Sequence, residues 1–251
     1  MSPENSHRNY SWRRALGFTL VELLVVIFII SLLLFLTVPM IRGLKQSGDL
    51  TNAANEVSGA ISQARAYAIA NNTYTWVGLF EENGAQNSSQ PATAGIGRVV
   101  IESVASSDGT LPYSTTAPGA IMGSSLISIA RLLKIDNAHL VTFPVTVGGT
   151  SVASPGPASN ASIGNTTPGA QSLTPFSYPL GGTAQYTFTK AIQFSPRGEA
   201  RINNSTSAYP MEPVIEIGLQ STHGAIIDSS SPNLVSIQVT GVGGDVSIYR
   251  K

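Results

Sequence analysis

The sequence contains no cysteine, few charged residues and few histidines. Without cysteine the 251-residue chain can form no disulfide, offers no thiolate nucleophile and cannot build a cysteine-type zinc site. Only 11% of its residues are charged, against roughly 25% in an average soluble protein. Since the formal net charge is zero, no global field attracts nucleic acid or an acidic partner.

Motifs for catalysis and metal binding are also missing. The serines occur in no G-x-S-x-G elbow, and His7, His139 and His223 have no neighbours at metal-ligand spacing. Glu81 and Glu82 are adjacent at the end of a predicted strand, so their side chains should face opposite sides of a sheet and form no catalytic pair. We therefore expect no catalytic residue, no metal ligand and no cofactor. The dispersed basic residues disfavour nucleic acid as a partner.

The strongest feature that is present is an apolar run at residues 23–41. As a helix, this run would extend roughly 29 Å, close to the hydrocarbon core of a bilayer at about 30 Å. It is longer than the apolar region of a cleavable secretory signal, about 7–15 residues. By the positive-inside rule, the arginines before it keep the N-terminus in the cytoplasm and send the C-terminal bulk across the membrane; they are Arg8, Arg13 and Arg14.

One acid, Glu22, lies at the start of this apolar run. A charge at the centre of a membrane helix costs about 2.5–3.5 kcal/mol on insertion scales. Intramembrane acids are therefore functional candidates by default. The alternative is a plain signal anchor in which Glu22 lies at the level of the lipid headgroups.

The residues Gly17-Phe18-Thr19-Leu20-Val21-Glu22, followed by the apolar run, resemble the class III signal of type IV prepilins and type II secretion pseudopilins. The resemblance implies that a prepilin peptidase cuts between Gly17 and Phe18, removes the basic leader 1–17 and methylates the new amine of Phe18. It also implies that Glu22 pairs with the N-terminal amine of a neighbouring subunit during filament assembly.

Pro39 lies near the end of the apolar run. A proline inside a helix removes one backbone hydrogen bond, so Pro39 either ends the helix at the far membrane face or, as the resemblance implies, kinks a continuing helix. After Gly48 apolar residues recur at steps of three and four as far as Asn71-Asn72. We predict a transmembrane or filament-core helix over 18–42 and an amphipathic continuation over 43–72.

The remainder, 73–251, is predicted to be a β-rich head. A hairpin loop is expected at 241–245, a short helix at 126–135 and a long loop rich in Gly, Ser, Thr and Pro at 148–184. The predicted strands are Tyr74–Phe80, Arg98–Val104, Leu140–Val147, Tyr186–Thr189, Ala191–Phe194, Val214–Leu219, Leu234–Thr240 and Val246–Tyr249. The fold class is therefore α+β, with one long N-terminal helix packed on an antiparallel β-rich head, which is also the architecture that the resemblance implies.

Two further stretches resemble minor pseudopilins of the H type or the pilus-tip type. Residues 61–72 are similar to their A-R-x-x-A-I-x-x-N pattern and residues 194–198 to their F-x-x-x-G motif. The chain is also similar to the prepilin-like cassette proteins of Verrucomicrobia. It lacks the C-terminal cysteine pair of many major pilins and the compact Asp-rich calcium loop of major pseudopilins, which argues against a major subunit.

The resemblance implies a non-enzymatic structural subunit of a type IV pilus or a type II secretion pseudopilus. Its partners would be prepilin peptidase, other pilin or pseudopilin subunits and an inner-membrane assembly platform. The chain would cross the inner membrane once, with its N-terminus cytoplasmic and its head periplasmic or extracellular. The alternatives are a membrane-anchored extracytoplasmic adhesin or ligand-binding module and, with least support from the sequence, an anchored hydrolase.

Overall fold

The computed structural model describes residues 18–114, 117–157, 161–163, 172–203, 211–229 and 233–251, and only the backbone of residues 36–47. The chain divides into two compact units, Met1–Gly43 and Leu44–Lys251. Gly17 lies outside the described residues.

The helix α1 runs from Leu20 to Ala70, a length of 51 residues. Pro39 lies inside it, so the alternative in which the helix ends at Pro39 is wrong. At its C-terminal end, Asn72 has a positive φ of 49°, and the N–H of Thr73 donates to the carbonyl of Ala68 at 3.0 Å. This is the Schellman arrangement that satisfies the last carbonyls of a helix. This arrangement needs a residue in the left-handed conformation, which Asn tolerates.

In the second unit, the apolar, helically spaced positions of α1 form one buried face, on which Tyr67 is half-buried. The opposite face, with Asn52, Glu56 and Gln63, is exposed. Most of the buried residues are alanines, whose small side chains let the helix lie close to the sheet. The buried residues are Leu50, Ala53, Ala54, Val57, Ala60, Ile61, Ala64 and Ala68. The finer division of the helix at residues 42 and 43 stays a prediction.

The second unit contains a large sheet in which neighbouring strands are antiparallel, apart from one short parallel pair between β7 and β12. Its main path is β11-β10-β1-β2-β4-β12-β14-β15, with β3 beside β2 and β13 beside β12. Two separate ribbons pair β5 with β6 and β8 with β9. The strands are β1 Thr75–Asn83, β2 Gly97–Ser106, β3 Leu126–Ser128, β4 Leu133–Val141, β5 Val145–Val147, β6 Thr150–Val152, β7 Ala161–Ser162, β8 Phe176–Tyr178, β9 Tyr186–Phe188, β10 Lys190–Phe194, β11 Ala200–Arg201, β12 Val214–His223, β13 Ile226–Ile227, β14 Leu234–Thr240 and β15 Val246–Arg250. The predicted α+β class is thus confirmed.

The central strands of this sheet are covered on both faces. Val77 and Leu79 of β1 belong to the core shared with α1, whereas Trp76 belongs to a second core rich in aromatic rings. The ribbon β8–β9 supplies Phe176, Tyr186 and Phe188 to this aromatic core. A Cβ at Gly78 would lie 2.6 Å from Phe176 and Phe188, so only glycine lets the ribbon pack on β1.

Each predicted strand coincides with an observed strand, although the boundaries move. The predicted strand 140–147 is divided: β4 ends at Val141 and β5 begins at Val145, with Pro144 between them. Proline has no N–H to donate to a ladder, which accounts for the interruption. The hairpin around 241–245 is confirmed by the antiparallel pairing of β14 with β15.

The predicted helix at 126–135 is wrong. A 3₁₀ turn at Gly123–Ser125 leads instead into β3, and β4 begins at Leu133. Both strands pair with the ten-residue strand β2, β3 with residues 104–106 and β4 with residues 97–101. Pairing with a long neighbour therefore overrides the local helix preference of Leu, Ala, Arg and Lys.

The stretch 148–184 is more regular than expected from its composition. It contains β6, β7 and β8, while residues 158–160 and 164–171 within it lie outside the described residues. Phe176 of β8 is buried at 1% exposure. The described part of this stretch therefore contributes to the core of the head.

Candidate functional site

The start of α1 is closed by reciprocal hydrogen bonds between Thr19 and Glu22. The Thr19 N–H and the Thr19 hydroxyl donate to Glu22 Oε2 at 2.9 and 2.8 Å. In return, the Glu22 N–H donates to Thr19 Oγ1 at 3.2 Å. This is a capping box, in which the N-cap residue and the residue three positions later each satisfy a backbone donor of the other.

The capping box holds the Glu22 carboxylate in the first turn of α1, four residues after Phe18. A negative charge is favourable there because the helix dipole is positive at its N-terminal end. Both hydrogen bonds end on Oε2, and within the part of the chain that the structure describes Oε1 accepts none. One oxygen of the carboxylate thus maintains the helix start, and the other is available to a further donor.

A continuous exposed apolar surface follows this carboxylate. Large apolar residues from Phe18 to Phe35 are between 47% and 82% exposed in the isolated chain. The hydroxyl of Ser31 donates to the carbonyl of Ile27 at 2.7 Å, so this polar group is satisfied within the helix. Since exposed apolar patches of this extent mark interaction surfaces, the segment is a candidate interaction surface.

The structure describes three of the four site residues that the sequence predicted. Phe18 and Glu22 lie together at the start of α1, Pro39 lies inside the helix, and Gly17 falls outside the described residues. The capping role of Thr19 was missed by the sequence analysis. The spacing Thr-x-x-Glu directly before an apolar run could have revealed it.

The two weaker motifs meet in the second unit. Arg65 of α1 forms an ion pair with Asp245 at 3.2 Å. Gly198 has a φ of 84°, and a Cβ there would lie 2.9 Å from Ile69 and 3.3 Å from Arg65. A Cβ at Gly244 would lie 3.0 Å from Arg65. The motif at 61–72 and the turn at 194–198 therefore form a packing contact between α1 and the end of the sheet.

Glu81 and Glu82 face opposite sides of the sheet, as predicted. Glu81 Oε1 lies 2.5 Å from Nδ1 of the buried His139, and Glu82 lies 3.5 Å from Arg98 and 3.3 Å from the Tyr186 hydroxyl. His139 is 58 positions away from Glu81 along the chain, so no spacing motif could have shown this pair. Over the described ranges, no group of three or more potential ligand residues is placed to hold a metal ion.

Comparison with known proteins finds a family match in the N-terminal part of the chain and two similar proteins. Residues 12–38 match the family described as the prokaryotic N-terminal methylation motif. The type II secretion system core protein G of Dickeya chrysanthemi is 39% identical over 62 residues, which are 25% of this chain and 40% of that protein. These matches support a relation of this chain to the type IV prepilins and pseudopilins. The chain is also 35% identical over 71 residues to core protein G of Pectobacterium carotovorum subsp. carotovorum, which are 28% of this chain and 45% of that protein.

The similarity of this chain to known proteins is confined to part of its length. The chain spans less than half of the two relatives it matches, and no solved structure matches it. Both relatives are core proteins, so the similarity to minor subunits of the H type stays a prediction. Within the described residues, none of the helical stretches is both long and apolar enough to span a membrane.

Proposed function

We propose that this chain is a minor structural subunit of a type IV pilus or of a type II secretion pseudopilus. Prepilin peptidase removes residues 1–17, methylates Phe18 and leaves a chain that assembles through its N-terminal helix. The observation that carries the proposal is the exposed apolar surface from Phe18 to Phe35 with a capped carboxylate, Glu22, at its start.

Before assembly, the apolar half of the helix anchors the protein in the inner membrane. The chain crosses once, its N-terminus is cytoplasmic and its head lies on the periplasmic side. After extraction into a filament by the assembly platform, the helices of other subunits replace lipid around the same surface. Van der Waals packing between helices stabilises such contacts in the absence of water.

Glu22 directs this assembly by pairing with the methylated amine of Phe18 on a neighbouring subunit. An unpaired ion in an apolar environment is costly, and two opposite ions that meet there offset part of their desolvation. Oε2 is already engaged by Thr19, so the amine contacts Oε1. In this arrangement one carboxylate both caps its own helix and receives the terminus of the next subunit.

Pro39 supports the same role because it lies within the helix, where it removes one backbone hydrogen bond. It provides a kink at which the helix adapts to its neighbours. The head acts as the displayed part of the subunit and carries no catalytic function.

Two variants separate capping from pairing. Glu22→Gln keeps an oxygen that can cap the helix, since Gln is accepted at this position of the box, but it has no charge for the amine. Thr19→Val removes the cap at a cost of about 1 kcal/mol and keeps the carboxylate. Mass spectrometry of membrane and sheared filament fractions should find both variants cleaved at Phe18 and methylated, with only Thr19→Val incorporated into filaments.

Filament incorporation of Glu22→Gln at the level of the unchanged protein would refute the pairing role. A mature chain that keeps residues 1–17 would refute the whole proposal and leave a plain membrane anchor.

A further inference from the structure

A cleft of about 130 Å³ opens in the head beside the start of β1. Tyr74 and Tyr113 line it with aromatic rings, and β10 and the residues around β11 line it with polar groups. An engineered cavity of about 150 Å³ admits benzene. At about 130 Å³ the cleft is slightly smaller than that cavity, so one six-membered ring is about the largest group that it can hold.

The inner wall of the cleft is a buried polar network. Asn203 and Gln193 are 2% and 4% exposed. The Tyr113 hydroxyl donates to Gln193 Oε1 at 2.5 Å, and Asn203 Nδ2 donates to the Tyr113 oxygen at 2.7 Å and to Gln193 Oε1 at 2.5 Å. These contacts fix the orientation of the Asn203 amide, because both of its hydrogens are directed towards this network.

The carbonyl oxygen of the same amide is left without a partner. Asn203 Oδ1 is buried and accepts no hydrogen bond from any residue that the structure describes. Buried polar groups are nearly always hydrogen-bonded, so an unsatisfied acceptor on a residue lining a cleft indicates a ligand with a hydroxyl or N–H donor.

The remaining polar groups leave the cleft neutral. Arg201 Nη2 pairs with Glu199 Oε2 at 3.3 Å, and the Ser195 hydroxyl donates to the same oxygen at 3.3 Å. Since the guanidinium and the carboxylate compensate each other, no net charge selects an anion or a cation. The residues that line the cleft include hydrogen-bond donors and acceptors and two tyrosines.

We propose that this cleft binds a neutral pyranose sugar, as a free monosaccharide or as the end of a glycan. The apolar C–H face of the sugar ring packs on tyrosine, as apolar surface does in most ligand sites. A ring hydroxyl donates to Asn203 Oδ1, and other hydroxyls reach the Glu199–Arg201 pair. The site belongs to the head alone and does not depend on how the subunit assembles.

Binding is tested by calorimetric titration of the full chain in a phosphocholine detergent, because maltoside or glucoside detergents would compete. The probes are the methyl glycosides of glucose, galactose and mannose, and N-acetylglucosamine. At least one should bind saturably. Fluorescence of Trp76, whose ring is 6.4 Å from that of Tyr113, should change in parallel when Trp12→Phe removes the other tryptophan.

Variants place the binding in the cleft. Asn203→Leu, which lacks the acceptor, and Tyr74→Leu, which lacks the ring, should each weaken binding about tenfold, the equivalent of one lost interaction. Tyr249→Leu, at a half-buried tyrosine outside the cleft, should leave affinity unchanged. If Asn203→Leu does not fold, Tyr74→Leu alone tests whether the sugar binds in the cleft.

Three results would overturn the proposal. They are no binding of any neutral sugar at millimolar concentration, an affinity of both cleft variants equal to that of the unchanged protein, and binding of charged sugars alone. None of them would affect the filament assay with Glu22→Gln, so failure here is distinguishable from failure of the assembly role.

Discussion

The buried carboxyl of Glu102 should make the stability of the head depend on pH. Glu102 lies in the middle of β2 at 0% exposure, opposite Gly78 of β1. Its Oε1 accepts a hydrogen bond from the Ser128 hydroxyl at 2.5 Å, and among the residues described its Oε2 has no partner. Burial raises the pKa of Glu102 to about 7, and the bond from Ser128 opposes this only in part.

The sign and size of the effect follow from the two states. In the unfolded chain the pKa of Glu102 is 4.5, so between about pH 4.5 and pH 7 the unfolded chain has lost the proton that the folded head keeps. Folding then takes up a proton, and stability decreases as pH rises through this window. A difference of about 2.5 pKa units corresponds to about 3 kcal/mol, present in full below pH 4.5 and lost above pH 7.

Glu102→Gln removes this titration and keeps an oxygen that can accept from Ser128. Urea unfolding in detergent is measured at about pH 4 and pH 8 by Trp76 fluorescence, in a Trp12→Phe background. Between these pH values the unchanged head should lose about 3 kcal/mol more of its free energy of unfolding than the variant does. Glu56→Gln, at an exposed glutamate on α1, is the matched control and should retain the pH dependence. If Glu102→Gln loses as much stability over this range as the unchanged head, the carboxyl is not buried as described and the reasoning fails.

Two further predictions concern the packing of α1. Gly244→Ala should destabilise the head by about 2–3 kcal/mol, because it combines a positive φ with a Cβ that would overlap the backbone oxygen of Gly198 and lie 3.0 Å from Arg65 of α1. Gly148→Ala, with a positive φ but nothing within 4 Å, should cost only about 1–2 kcal/mol. Ile61→Ala, at 0% exposure, should lower the free energy of unfolding by about 2–5 kcal/mol. Gln63→Ala, on the exposed face of α1, should change it by no more than about 0.5 kcal/mol. Urea unfolding measures all four, and equal costs within either pair would contradict the packing described.

Strand positions could be predicted because alternating and β-branched stretches carry their own signal. Leu234–Thr240 was placed with its observed boundaries. The stretch 126–135 could not be placed because its conformation depends on β2, a strand about twenty residues earlier that offers open hydrogen-bonding positions along its length. No local propensity contains that information.

The candidate sites divide in the same way. Thr19 and Glu22 of the capping box are three positions apart, so the box could be found from spacing alone. The cleft could not be found, because Tyr74, Tyr113 and Asn203 are separated by tens of residues and lie in segments without any motif.

The sequence by itself determined the N-terminal segment of this protein, because the apolar helix, its cap and its carboxylate all depend on residues within a few positions of one another. Only the tertiary structure decided which distant groups meet in the head. It brings Arg65 to Gly198, His139 to Glu81, and the tyrosines to the unsatisfied amide of Asn203. The physical reason is that helix capping and membrane partition act over a few residues, whereas sheet register and core packing are set by contacts between segments far apart in the chain.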